Sequence, residues 1–160
     1  MSEYRVIIPE ESYSILEFNQ DELPGIAVVN SALRDFKSKI VFAWHLSLML
    51  DFEDLIENGM PSIHEREVID PFGDHLDSML KGPDLDKPNA LFLARITWNE
   101  TRELIWRVFA PEPAHQSLQK LISKDASPRT FDYKMEHDPE WELAKWHLTK
   151  WKKGTEHHKH

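Results

Sequence analysis

No cysteine occurs among the 160 residues, which removes a disulfide framework, a thiolate zinc site and a cysteine nucleophile. Glycine is scarce as well. The 5 glycines are never clustered, so neither common glycine-rich phosphate loop can be built. No apolar run approaches the ~20 residues that a membrane helix needs, and Met1-Ser-Glu-Tyr-Arg5 is no secretory signal. A cytoplasmic protein without membrane contact is the expectation. Basic charge is also in deficit, with 19 Lys and Arg against 28 Asp and Glu, for a net charge of −9. General nucleic-acid binding is therefore not expected, since it needs a basic footprint. The acidic balance serves solubility, and in a narrower reading it supplies an acidic face for a basic partner.

What is present reads as one globular domain, with 41% hydrophobic and 29% charged residues and a surplus of aromatics (6 Trp, 8 Phe). Residues 1–151 are expected to form it, and the basic, His-rich tail 152–160 to be disordered. The richest stretch for folding signals begins at Asn89. Asn89 to Trp98 and Thr101 to Ala110 are β-favouring runs split by Asn99-Glu100, and Asn tolerates the positive φ of a two-residue turn. That register sets Trp98 against Thr101, Ile96 against Glu103, Ala94 against Ile105 and Phe92 against Arg107. The other face then carries Leu91, Leu93, Arg95, Thr97, Arg102, Leu104, Trp106 and Val108. Apolar groups on both faces point to a central hairpin covered on both sides.

Pro111 and Pro113 open a helix with Ala114, Leu118, Leu121 and Ile122 on one stripe. Alternation from Arg129 to Glu136 predicts a strand. Asp138-Pro-Glu-Trp-Glu142 predicts a helix capped by Asp138, with Trp141, Ala144, Leu148 and Trp151 buried and Lys150, Lys152 and Lys153 at its far end. Upstream, Ser12 to Phe18 and Gly25 to Asn30 predict a first hairpin with a loop over residues 19–24. Lys39 to Leu50 predicts a buried strand. Ser62-Ile-His-Glu65 fits a capping box. The helix it announces either kinks at Pro71 or begins there with Asp70 as its cap.

These residues carry a family resemblance. Ala94-Arg-Ile-Thr97, Thr101-Arg-Glu-Leu-Ile-Trp106, Phe131-Asp-Tyr133, Asp138-Pro-Glu-Trp-Glu142 and Asn58-Gly-Met-Pro-Ser62 resemble the bacterial domain of unknown function 695 family. The closing segment is also similar to the regulator of ribonuclease E activity B family. The resemblance implies a fold more than an activity. The fold class expected is α+β: a two-layer sandwich with an antiparallel-rich sheet of about five or six strands. Two or three helices lie on one face, and the closing half is ferredoxin-like. The expected order is strand–strand–strand–helix–strand–strand–helix–strand–helix.

No catalytic constellation accompanies this. His64, His75 and His115 are isolated, and His45 sits in an apolar run where a hydrogen-bonded or rim histidine is expected rather than a ligand. Glu136-His137-Asp138 offers three potential ligands, but consecutive side chains of a strand point to opposite faces. No cofactor or metal is expected. The candidate interaction or anion site comprises Arg95 and Arg102 on the hairpin and Trp146, which falls off the buried stripe of its helix. The structural alternative pairs the arginines with Glu136, Asp138 or Glu140. The function expected is a non-enzymatic interaction or regulatory module with an unknown protein partner. The alternatives are a small-molecule-binding protein or small enzyme with a site between sheet and helices, and a homodimer built through the hairpin.

Overall fold

The computed structural model describes residues 4–149 and 157–159. Its strands are β1 (Tyr13–Gln20), β2 (Leu23–Asn30), β3 (Trp44–Asp51), β4 (Ala90–Trp98), β5 (Thr101–Val108), β6 (Phe131–His137) and β7 (His157–Lys159). Its α-helices are α1 (Ile63–Lys81), α2 (Pro111–Ser123) and α3 (Lys145–Thr149). One antiparallel sheet runs in the order β6-β3-β5-β4-β2-β1-β7. Within it, β3-α1-β4-β5-α2-β6 is a complete ferredoxin-like unit, since its strands lie in the order β6-β3-β5-β4. The β1–β2 hairpin widens this unit beyond β4. The α+β class matches the sequence expectation, and so does the order of elements from β1 to α3; β7, paired with β1 at the sheet edge, is additional.

Both hairpins close through two residues at positive φ, Asp21 and Glu22 (52° and 66°) and Asn99 and Glu100 (47° and 70°). That is the backbone a two-residue turn requires between right-twisted strands. At the first turn the strands run further than the expected loop over 19–24 allowed, so Pro24 lies inside β2. The β4–β5 register holds from Trp98↔Thr101 to Ala94↔Ile105 and then breaks at Leu93. Phe92 therefore pairs with Trp106 rather than with Arg107. One extra residue at a bulge reverses the facing of everything beyond it. Leu91 and Leu93 consequently pack in one core and Ala90 and Phe92 in the other.

The two cores lie on opposite faces of the sheet. Leu46, Leu48 and Leu50 of β3, with Leu104 and Trp106 of β5, pack against Phe72, Leu76 and Leu80 of α1 and Ala114 and Leu118 of α2. Each fully buried leucine contributes about 2 kcal/mol. The other core joins Leu16, Ala27, Val29, Leu93 and Ile105 to Tyr4, Leu33, Phe36, Phe42, Trp141, Ala144 and Leu148. The central hairpin is thus covered on both sides.

Three expectations shift. Lys39–Phe42 is a 3-10 turn, and the buried strand begins only at Trp44. α1 starts at Ile63, where the Ser62 hydroxyl accepts from Glu65 N, and it runs on through Pro71. The closing helix does not start at Pro139: a turn places Trp141 in the left-handed region, followed by the 3-10 turn Glu142–Ala144 and then α3. Lys150, Trp151, Lys152 and Lys153 lie outside the described residues.

Candidate functional site

The closing motif is a latch. Arg107 of β5 is fully buried. Its Nη1 donates to Asp138 Oδ2 at 3.0 Å, its Nη2 to Asp138 O at 2.6 Å and its Nε to Phe42 O at 3.3 Å. His45 Nδ1 lies 3.0 Å from Nη1. Trp141 stacks on the guanidinium at 4.5 Å, and its Nε1 donates to Lys39 O and Phe42 O. These contacts hold Trp141 at φ 57°, a conformation costing about 1 kcal/mol or more outside glycine. Asp138 also accepts from Glu142 N and Leu143 N at 3.0 and 2.9 Å. Burial alone would raise the Asp138 pKa, but these donors together with Arg107 hold it below the usual carboxylate value. Burial, with Arg107 beside it, pushes His45 down to about 4. The cluster is enclosed and internally satisfied, and its groups act on one another.

A second buried pair anchors α1. The Glu65 carboxylate accepts from Arg129 Nε and Nη2, both at 2.8 Å, and from Glu53 N and Asp54 N. Hydrogen bonding to Arg129, against the cost of burial, brings the Glu65 pKa to about 2. Nothing in a local reading links Glu65 to a cation 64 residues away; the capping signal of Ser62-Ile-His-Glu65 identified only its backbone role.

Two clefts hold the candidate side chains Arg95, Arg102 and Trp146, and the topology explains them. Two helices roof the ferredoxin-like strands, whereas β2 and β1 carry no helix on that face. A cleft of about 270 Å³ therefore runs along α1, with Phe92, Val28 and Tyr13 on its floor and Gly73 on its wall. Arg95 and Arg102 line it together with Asp70, Asp74 and Asp77. Arg102, 5% exposed, donates through Nη1 to Asp70 Oδ1 at 2.6 Å and through Nε to Thr97 Oγ1 at 3.1 Å. The expected partners of Arg95, Thr97 and Arg102 were Glu136, Asp138 or Glu140; the partner found is Asp70, because α1 and not the closing segment packs on this face. Burial and the neighbouring Arg95 charge both press the Arg102 pKa downward. Asp77 is engaged with Trp106 Nε1 and Lys81. Arg95 and Asp74 pair with no group among the described residues. The bulge at Leu93 is what brings Phe92 to the same face as Arg95.

On the opposite face the cover stops short of the Asn99–Glu100 end. Phe18, Met49, Ile96, Trp98 and Trp146 line a cleft of about 400 Å³, together with Glu103 and His147. Trp146 is half-buried, with its ring edge-on to Phe18 at 5.9 Å. Met49 is 40% exposed. Glu103 accepts from Ser47 Oγ at 2.5 Å and pairs with no cation among the described residues. His147 is buried, its Nδ1 without a hydrogen-bond partner among the described residues, and burial pushes its pKa to about 4. A larger hollow of about 770 Å³ lies where the N-terminal segment meets the α1 end. Its Tyr4, Lys81 and Asn89 side chains are all engaged in the fold.

Elsewhere, His115 meets the Tyr133 hydroxyl at 2.8 Å, and the His137 ring lies tilted against Trp44 at 4.8 Å. No group of three or more His, Asp or Glu is placed to hold a metal ion among the described residues. No helix there is long and apolar enough to cross a membrane.

Architecture and clefts together define an α+β protein: a ferredoxin-like unit widened by an N-terminal hairpin, with its polar clusters locked into the fold. The chain belongs to the family described as Family of unknown function (DUF695), whose model matches residues 17–145. Neither the curated proteins nor the solved structures contain a match.

Proposed function

We propose that the protein is a non-enzymatic interaction module that takes a basic segment of a partner protein on its open aromatic face. The observation that carries this reading is the Glu103 carboxylate, bonded to Ser47 and without a cation partner among the described residues, set among Trp98, Trp146, Phe18 and Met49. Aromatic side chains attract a cation through their faces, and a carboxylate between them adds charge complementarity. Trp and Met are also enriched where proteins meet. The net charge of −9 favours approach of a basic surface. The likeness of the closing segment to a regulator family points the same way. Coupled capture separates this reading from adventitious sticking. Wild type, Trp146→Ala and Glu103→Gln are immobilised in parallel and challenged with source lysate. One protein bearing a Lys- or Arg-rich segment is expected on the wild type alone, released by raised salt. Identical captures on all three proteins overturn the reading. A second reading, a small-molecule-binding protein, is favoured by the cleft along α1.

A further inference from the structure

We infer that the cleft along α1 is a binding site for a small zwitterion of the amino-acid type, carrying one carboxylate and one ammonium on an apolar body. The inference deepens the second reading above and is independent of the aromatic face, so either can fail alone.

The cation side is built into the sheet. Arg102 is almost wholly buried, and two of its three nitrogens are committed to Asp70 and Thr97. Its Nη2 donates to nothing among the described residues. Arg95, two residues along the same face from Thr97, has no partner there either. Two guanidinium groups set side by side repel each other, and that repulsion is relieved when an anion bridges them. A carboxylate has the flat, two-oxygen shape that matches guanidinium donors.

The opposite wall decides against a simple anion. α1 presents Asp70, Asp74 and Asp77 to the same cleft. Asp70 is neutralised by Arg102 and Asp77 by Lys81. Of the three, Asp74 alone has no partner among the described residues. A dianion such as phosphate would meet its charge in the same cleft, whereas a ligand with both signs answers Arg95 and Asp74 at once. Between these charges lies an apolar floor of Phe92, Val28 and Tyr13. The volume, about 270 Å³, suits a small ligand and sits just below the usual range for drug-sized ones. Gly73 keeps the wall low: a methyl group there would meet only Leu104 Cδ1, at 3.9 Å. A glycine in the interior of a helix costs about 1 kcal/mol relative to alanine, and here the missing side chain keeps the cleft open.

The probes are L-leucine, L-methionine and L-phenylalanine, titrated calorimetrically into the full chain. 4-Methylpentanoate and 3-methylbutylamine serve as the single-charge counterparts of leucine. At least one of the three amino acids is expected to saturate a single site, and the single-charge compounds to bind about tenfold more weakly or worse. Arg95→Gln and Asp74→Asn should each lose about tenfold in affinity. Gly73→Leu should abolish binding while the thermal transition stays cooperative. Absence of saturable binding by all three amino acids overturns the inference. So does equal binding of 4-methylpentanoate, which would make this an anion site only, and so does undiminished binding by Gly73→Leu.

Discussion

Replacing Asp138 by alanine tests the latch. The substitution leaves the Arg107 guanidinium fully buried with its carboxylate partner gone, and it strips the acceptor from Glu142 N and Leu143 N. Removing one member of a buried ion pair costs about 3–5 kcal/mol, because the remaining charge stays desolvated. In a domain of this size each kcal/mol moves the midpoint by about 2–4 °C, so Tm should fall by about 6–20 °C. Urea and thermal unfolding followed by tryptophan fluorescence measure the loss, since Trp141 sits on the same guanidinium. Arg107→Met removes the charge that needs a partner, so the double variant Asp138→Ala/Arg107→Met should cost less than the sum of the single variants, by about 2 kcal/mol. The loss should also appear in wild type on acidification. The Asp138 pKa lies below its ordinary 3.8, so its contribution is complete above that value and disappears as pH falls through the folded-state value. A single variant within about 1 kcal/mol of wild type, or additive costs in the cycle, would refute the latch.

Acid should act earlier through the histidines. His45 and His147 fall from 6.5 to about 4 in the folded protein. The unfolded chain therefore binds more protons between these values, and stability should decline as pH drops from 6.5 towards 4. Chemical denaturation across that window checks this, and His147→Gln should flatten the slope. Glu65→Ala should cost about 3 kcal/mol by stranding Arg129 and two backbone donors; a loss below about 1 kcal/mol in urea would contradict that role. Gly59 holds φ +72°, and a Cβ there would approach Glu100 N to 2.9 Å. Gly59→Ala should therefore cost about 1–2 kcal/mol and speed hydrogen exchange at Glu100 N, which bonds to Gly59 O.

Much of the fold was legible because local signals and tertiary demands agreed. Asn99-Glu100 announced its turn, Pro111 its helix start and Ser62 the cap of α1. The bulge at Leu93 was not legible. β4 is apolar on both faces, so alternation offers no fixed reference and one inserted residue leaves no trace in the pattern. That insertion decides which residues join Arg95 in the α1 cleft. Arg102 was singled out as a charged residue of the central hairpin, but its partner depends on which helix roofs that face, which is a property of topology. Arg107 was hidden for a related reason. It stands in a regular strand, and its role arises only when a turn 31 residues later delivers Asp138. Reading Asp138-Pro-Glu-Trp as a helix start captured the capping carboxylate but missed the left-handed Trp141 that redirects the chain. Trp146, which falls off the expected buried stripe, is half-buried, its ring meeting Phe18 across the sheet face.

The division between residues that hold the fold and residues left for binding is most directly measured on the two arginines of the α1 cleft. Urea denaturation of Arg95→Ala should give a stability within about 0.5 kcal/mol of wild type, while Arg102→Ala should lose about 2–3 kcal/mol with its buried bonds to Asp70 and Thr97. Equal losses in the two variants would contradict the division, for Arg95 would then be part of the scaffold and not a charge held in reserve for a ligand.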